Sequence, residues 1–332
     1  MLGTIARMPG MRFEADADFS YRALTGPGSD EFSEPFDNGV RAKVERSVSL
    51  TKYYLAGSWR RQDAVSAQIA DSGIVIVNGD INTYVVDTGL ARLLTPIDSI
   101  SWSVQGKSVD FSSGSGSPYT DLTTTGAWTH RLTPTTDLSA SLQLELLSRD
   151  DPAETETQFM RATVGLETHL SRQLVFLGGV GAILHRTDQE AAGQTPSAFQ
   201  SPDEGAGWIA NVQVNYQAAR NTEVSLLASN SISPSAVGEI QERARVGLAL
   251  RHAINHSSHL LLFSEFQHQS SLEDLDYGSA DLFRASLTYG YRLTPEWQTL
   301  VSYKYLERMD DTGPAHSNTV YLSVVRDITI LP

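Results

Sequence analysis

Residues 137–148 read Asp137-Leu-Ser-Ala-Ser-Leu-Gln-Leu-Glu-Leu-Leu-Ser148, and their spacing decides the fold. Leu138, Ala140, Leu142, Leu144 and Leu146 fall on one side of an extended chain, with Ser139, Ser141, Gln143 and Glu145 on the other. Successive side chains of a strand point to opposite faces, so this period of two makes a ribbon with one apolar and one polar side. A helix would scatter the same leucines around its circumference.

The pattern recurs from end to end. In residues 11–24, Phe13, Ala15, Ala17, Phe19 and Tyr21 oppose Arg12, Glu14, Asp16, Asp18, Ser20 and Arg22. Val40, Ala42, Val44 and Val48 oppose Arg41, Lys43, Glu45 and Ser47. Trp208, Ala210, Val212, Val214 and Tyr216 oppose Asn211, Gln213 and Asn215, and Phe283, Ala285, Leu287, Tyr289 and Tyr291 oppose Arg284, Ser286, Thr288 and Arg292. Residues 178–183 and 259–265 are apolar on both faces, which leaves their register open; Ile74 to Val77 is an apolar run inside an expected loop.

Short turns punctuate these runs. Arg92-Leu-Leu-Thr-Pro96, Arg131-Leu-Thr-Pro134 and Arg292-Leu-Thr-Pro295 each end one alternating run and begin the next. Proline fixes φ and cannot donate to a ladder, so it belongs there. Degenerate versions stand at residues 169–172, 218–221 and 252–255, with a tight connection at 49–52. Between them lie longer segments rich in Gly, Ser, Pro and acids: 25–36, 62–80, 111–118, 149–157, 187–203, 231–239, 270–276 and 309–315. Seven turns make seven hairpins, and one further strand at each end gives about sixteen. An even count puts both ends on one side. Short turns on one rim and long loops on the other are the signature of a transmembrane barrel, with turns in the periplasm and loops outside the cell.

The fold class expected is therefore all-β: one transmembrane antiparallel barrel over residues 11–332, preceded by a short segment, residues 1–10. That segment lacks the apolar core of a secretory signal. No apolar run reaches the roughly 18 residues of a membrane-spanning helix, and lipid admits a sheet only when its edges are closed. A propeller, with several strands per repeat, is the soluble alternative; two strands per repeat with charge on one face fit it poorly.

The polar face then lines a wide, wet interior, because charges on a dry core would be prohibitively costly. The residues assigned to it are Arg12, Glu14, Asp16, Asp18, Arg22, Arg41, Lys43, Glu45, Lys107, Arg161, Glu167, Arg243, Arg245, Arg284, Arg292 and Lys304. Tyr53, Tyr54, Trp59, Trp128, Tyr216, Tyr291, Trp297 and Tyr305 sit toward strand ends, where rings favour the membrane interface, although strand propensity alone also places aromatics there.

Composition removes several classes of function. The 332 residues contain no cysteine, which excludes disulfides, thiolate metal sites and cysteine nucleophiles. A net charge of −14 without a dense basic run argues against nucleic acid as a partner. No nucleophile elbow, phosphate loop or His-Glu-x-x-His run is present, so no enzyme is expected. His252, His256 and His259 straddle a turn and lack ligand spacing; no metal and no cofactor are expected.

Two segments, Ala127-Trp-Thr-His-Arg-Leu-Thr-Pro-Thr-Thr-Asp-Leu138 and Leu287-Thr-Tyr-Gly-Tyr-Arg-Leu-Thr-Pro-Glu-Trp297, carry a resemblance. With the repeated turn, they make nearly the whole chain resemble the outer-membrane β-barrel porin-like family associated with exopolysaccharide production and export. The resemblance implies a Gram-negative outer-membrane location and contact with lipid and lipopolysaccharide. It also implies insertion by the barrel assembly machinery and a link to a polysaccharide export apparatus. The final residues, Val320 to Pro332, lack the terminal aromatic that this machinery commonly reads.

The leading expectation is a channel for polar solutes, with arginines able to follow an anionic sugar through bidentate contacts. A lumen whose charges merely pair across strands serves a non-conducting structural or adhesive barrel equally well. Acidic loops bridged to lipopolysaccharide by divalent cations would suit that alternative. A hydrolase at the membrane surface is the third reading. Segments 62–80 and 187–203 are the candidates to fold inward and narrow the lumen.

Overall fold

A computed structural model describes the chain except residues 1, 9, 22–35, 65–66, 68–78, 113–115, 151–154, 190–202, 236–239, 272–278, 311–312 and 327–332. Seventeen strands form one sheet. In chain order they are β1 (Leu2–Met8), β2 (Met11–Tyr21), β3 (Phe36–Val48), β4 (Thr51–Asp63), β5 (Asp80–Leu93), β6 (Asp98–Phe111), β7 (Tyr119–Thr133), β8 (Thr136–Arg149) and β9 (Thr155–His169). They continue as β10 (Leu174–Gln189), β11 (Asp203–Ala219), β12 (Thr222–Pro234), β13 (Ile240–Ala253), β14 (Ser258–Ser271), β15 (Ala280–Arg292), β16 (Trp297–Asp310) and β17 (Gly313–Arg326). Each strand pairs antiparallel with the next in sequence.

The seven turns stand where the sequence puts them, between β3 and β4 and then after every second strand to β15 and β16. Side chains satisfy the backbone there. Thr95 Oγ1 accepts from Asp98 N at 2.9 Å, Asn255 Oδ1 from Ser258 N at 2.9 Å, and Thr294 Oγ1 from Trp297 N at 3.1 Å. This explains the threonine in the repeated motif: a hydroxyl two or three residues ahead of an amide mimics a backbone turn.

The sixteen expected strands are β2 to β17. The seventeenth, β1, comes from the segment ahead of residue 11 and pairs along β2 from Leu2↔Ala17 to Met8↔Met11. It carries residue 2 toward the loop end while Arg326, paired with Trp297, lies at the turn end. The expected placing of both ends on one side is thereby corrected. Strands also run further into the expected loops, β12 to Pro234 and β10 to Gln189. The segment 309–315 is no long loop: Asp310 pairs with Gly313, whose φ of +110° suits only glycine. Ile74 to Val77 lies outside the described residues.

The register separates two faces along every strand. One is apolar and exposed: Leu55, Val86, Leu122, Val164, Val180 and Val246 are all more than half exposed on it, and Val320 and Leu322 stand at 72% and 73%. It continues into the turns themselves, through Leu50, Leu94, Leu132, Leu170, Ile254 and Leu293. The other face is polar and concave, as contacts between strands far apart in the sheet attest: Tyr119 of β7 reaches Ser235 beyond β12. Residues 178–183 resolve into Val180 outward and Ile183 inward, with small Gly179 and Gly181 beside it; in residues 259–265, Leu261 and Phe263 face inward.

Leu287 of β15 lies mid-strand on the apolar face, and Ser286 beside it points the other way. Leu287→Arg is expected to cost about 2–4 kcal/mol in lipid vesicles. Ser286→Arg should cost much less, both read from urea unfolding.

Candidate functional site

The concave face is the candidate site. Arg12, Glu14, Asp16, Asp18, Arg41, Lys43, Arg161, Arg243, Arg245, Arg284, Arg292 and Lys304 all fall on it in the register, as do Glu45, Lys107 and Glu167. Arg22 lies outside the described residues. On β2 and β3 the charges oppose each other directly, Glu14 with Lys43 and Asp16 with Arg41. Arg12 pairs with Glu14, Lys43 Nζ lies 2.7 Å from Glu45, and Arg60 3.6 Å from Asp18. Tyr54 Oη donates to Asp87 Oδ1 at 3.0 Å while Lys43 sits over its ring at 5.5 Å. Such partly exposed pairs contribute at most about 1 kcal/mol each.

At the loop end the same face turns apolar. Ile81, Val109, Tyr119, Leu147, Phe159 and Ile183, one from each strand β5 to β10, are buried in a single belt. Ile232 and Ile240 pack against it from β12 and β13. By alternation those two belong to the outward set of Val246, yet they are 5% and 2% exposed. The loop-side ends of β12 and β13, at Ile232 and Ile240, therefore lean inward at the mouth.

Specific bonds hold it there. Arg161 Nη2 donates to Ile232 O at 3.0 Å, and Arg161 Nη1 is bonded to Glu145 Oε2. Tyr119 Oη donates to Ser235 O at 3.5 Å and accepts from Lys107 Nζ at 2.9 Å. A Cβ on Gly207 would stand 2.6 Å from Ile232 Cδ1, so the isoleucine side chain packs closely over this glycine. Beneath it lies a cavity of about 220 Å³ edged by Thr163, Ile209, Asn211 and Ser229.

The lean opens a seam. Pairing between β11 and β12 ends at Ala210↔Asn230, although β11 continues to Asp203 and β12 to Pro234. Past the last rung, Asn230 Nδ2 donates to Trp208 O at 3.0 Å and Arg161 serves Ile232 O. Side chains thus replace ladder bonds, because an unmade buried bond would be costly.

Which segments narrow the mouth differs from expectation. Residues 231–235 and Ile240 lie inward, where the sequence reads as an outer polar loop. Of the expected pair, segment 62–80 contributes Ala64 and Ala67 to the belt, and segment 187–203 falls largely outside the described residues. The signal that marks the hairpin is faint: Ile232 and Ile240 flank a polar, proline-containing stretch.

The histidines form isolated contacts, His130 with Asp98 at 2.8 Å and His252 with Thr222 at 2.8 Å. Among the described residues no three His, Asp or Glu side chains gather as metal ligands.

No protein-family model and no curated protein matches the chain. Solved structures do. The ferric-catecholate import receptor Fiu from E. coli K12 in its open form aligns over 96% of this chain and 64% of its own, with 12% identity and a TM-score of 0.53. FpvA of P. aeruginosa bound to a heterologous pyoverdine aligns over 96% and 55%, with 11% identity and a TM-score of 0.56. The siderophore receptor PirA from Acinetobacter baumannii aligns over 96% and 58%, with 10% identity and a TM-score of 0.53.

The fold is that of an outer-membrane β-barrel. The chain spans under two thirds of the length of each of these receptors.

Arg161→Met would leave the Glu145 carboxylate buried without its cation, a loss of about 3–5 kcal/mol. Faster hydrogen exchange is expected at residues 231–234 and 240–243, with β2 to β4 unchanged. Adding Glu145→Gln should recover part of the protection.

Proposed function

We propose that this chain is an outer-membrane channel for polar solutes, held closed at its loop-side mouth in the state described here. The observation that carries the reading is the row of charged side chains on the concave side of an apolar-coated sheet, below the apolar belt at its loop end. Charged side chains on facing walls need water between them, and a water-filled barrel wall is a path. The twelve charged residues named above line it, residues 11–332 form the barrel, and residues 1–10 attach along β2.

The apolar outer face, running down to the turn leucines, supports a place in a Gram-negative outer membrane. There its partners are lipid and lipopolysaccharide, with the barrel assembly machinery inserting it. The inward hairpin favours a gated channel over one that is permanently open. Export of an exopolysaccharide through an attached export apparatus is a narrower form of this reading. Inward aromatics such as Tyr54, Phe263 and Tyr321, together with the arginines, would suit a sugar chain. The similar solved structures are a ferric-catecholate import receptor, a siderophore receptor and a pyoverdine-bound protein, and lend export no support.

Conductance in planar bilayers tests the proposal. The native protein should show rare, small steps. Ile232→Ser with Ile240→Ser should release the hairpin and give frequent, larger ones. A folded barrel that stays silent in both forms would leave the structural or adhesive role instead.

A further inference from the structure

The inward face is not uniformly charged. On β2 and β3 cations and carboxylates alternate, but on β13 to β17 the balance is basic. Reading the register across those strands from the turn end, Arg251 shares a row with Thr288 and Ser302, and Lys304 the next row with Phe263 and Ser286. Arg284 follows beside Glu265, then Arg245 beside Gln267 and Arg308, then Arg243 beside Gln269. Five successive rows each hold a cation, and rows two residues apart are separated by about 6.6–6.8 Å.

Only two carboxylates, Glu265 and Asp310, stand on the inward face of these five strands. They pair with Arg284 at 3.5 Å and with Arg308. Gln267, Gln269, Ser286, Thr288 and Ser302 supply neutral donors between the cations. The Nε of Arg245, in the fourth row from the turn end, is buried and has no hydrogen-bond partner among the described residues. The excess runs against the −14 of the whole chain, so it is local to this wall.

We infer that the β13–β17 wall is an anion track and that the solute this channel passes carries carboxylate or phosphate groups. Guanidinium forks grip such groups bidentately, and rungs spaced along the whole strand hand them on without one deep trap. The top rung, Arg243, is 4% exposed and lies at the base of the leaning β12–β13 hairpin, so the track leads to the gate. The inference rests on the channel reading and names its substrate class.

The test uses the hairpin-released Ile232→Ser, Ile240→Ser protein in a planar bilayer under a potassium chloride gradient. Chloride should be favoured over potassium by roughly tenfold, the range expected where one sign of charge lines a cleft. Trigalacturonate should block the current at concentrations where neutral maltotriose does not. Adding Arg245→Gln and Lys304→Gln should abolish both the selectivity and the differential block, and Arg245→Lys should keep them. Cation selectivity, or equal block by both sugars, would overturn the inference while leaving the channel intact. Absence of steps in every variant would remove the channel reading, and the inference with it.

Discussion

The backbone ladder is the constraint on which the rest of this molecule depends. In lipid an unpaired amide has no water to turn to, so each strand must give its donors and acceptors to neighbours on both sides. Once those are committed, the period of two leaves one face for lipid and one for the interior. The charge on the concave side and the leucines on the convex side are two readings of a single alternation. Even the exception obeys it: where the β11–β12 ladder stops, Asn230 and Arg161 take over the carbonyls that a strand would have bonded.

Much of this architecture was legible in the residues. The Arg-Leu-Thr-Pro turns were visible because proline and threonine each have a positional reason to be there. The faces were visible because a one-residue slip would move a whole set of leucines to the wrong side. Asp310 to Pro314 misled because Asp, Thr, Gly and Pro are the residues both of a long polar loop and of a tight hairpin, and only the glycine's φ decides between them. β1 was missed because its pairing with β2 is a tertiary fact with little alternation to announce it. The inward hairpin was hidden for a deeper reason. Alternation tells which side of a strand a residue occupies and nothing about whether the strand still lies in the wall, so Ile232 and Ile240 read as lipid-facing.

The sequence assigns the charged residues to one face and gives no account of how charge is distributed across it. That distribution needs the register, since Arg245 and Arg308, more than sixty positions apart, share a row only through β14 and β15. Sequence spacing places a charge along a strand; pairing places it around the barrel. The salt bridges of β2 to β4 and the arginine excess of β13 to β17 look alike in composition and differ in the field they project into the lumen.

Each strand from β2 to β16 bonds to the one before it and the one after it, with no crossover between distant segments in the described pairings. A chain wired this way can grow hairpin by hairpin, each new strand templated by the edge just laid down, so the loops it must close remain short whatever the size of the finished wall. Lengthening or shortening such a protein by whole hairpins leaves the remaining rungs in register. The same meander can therefore be built to different circumferences, with the lumen's chemistry carried over strand by strand.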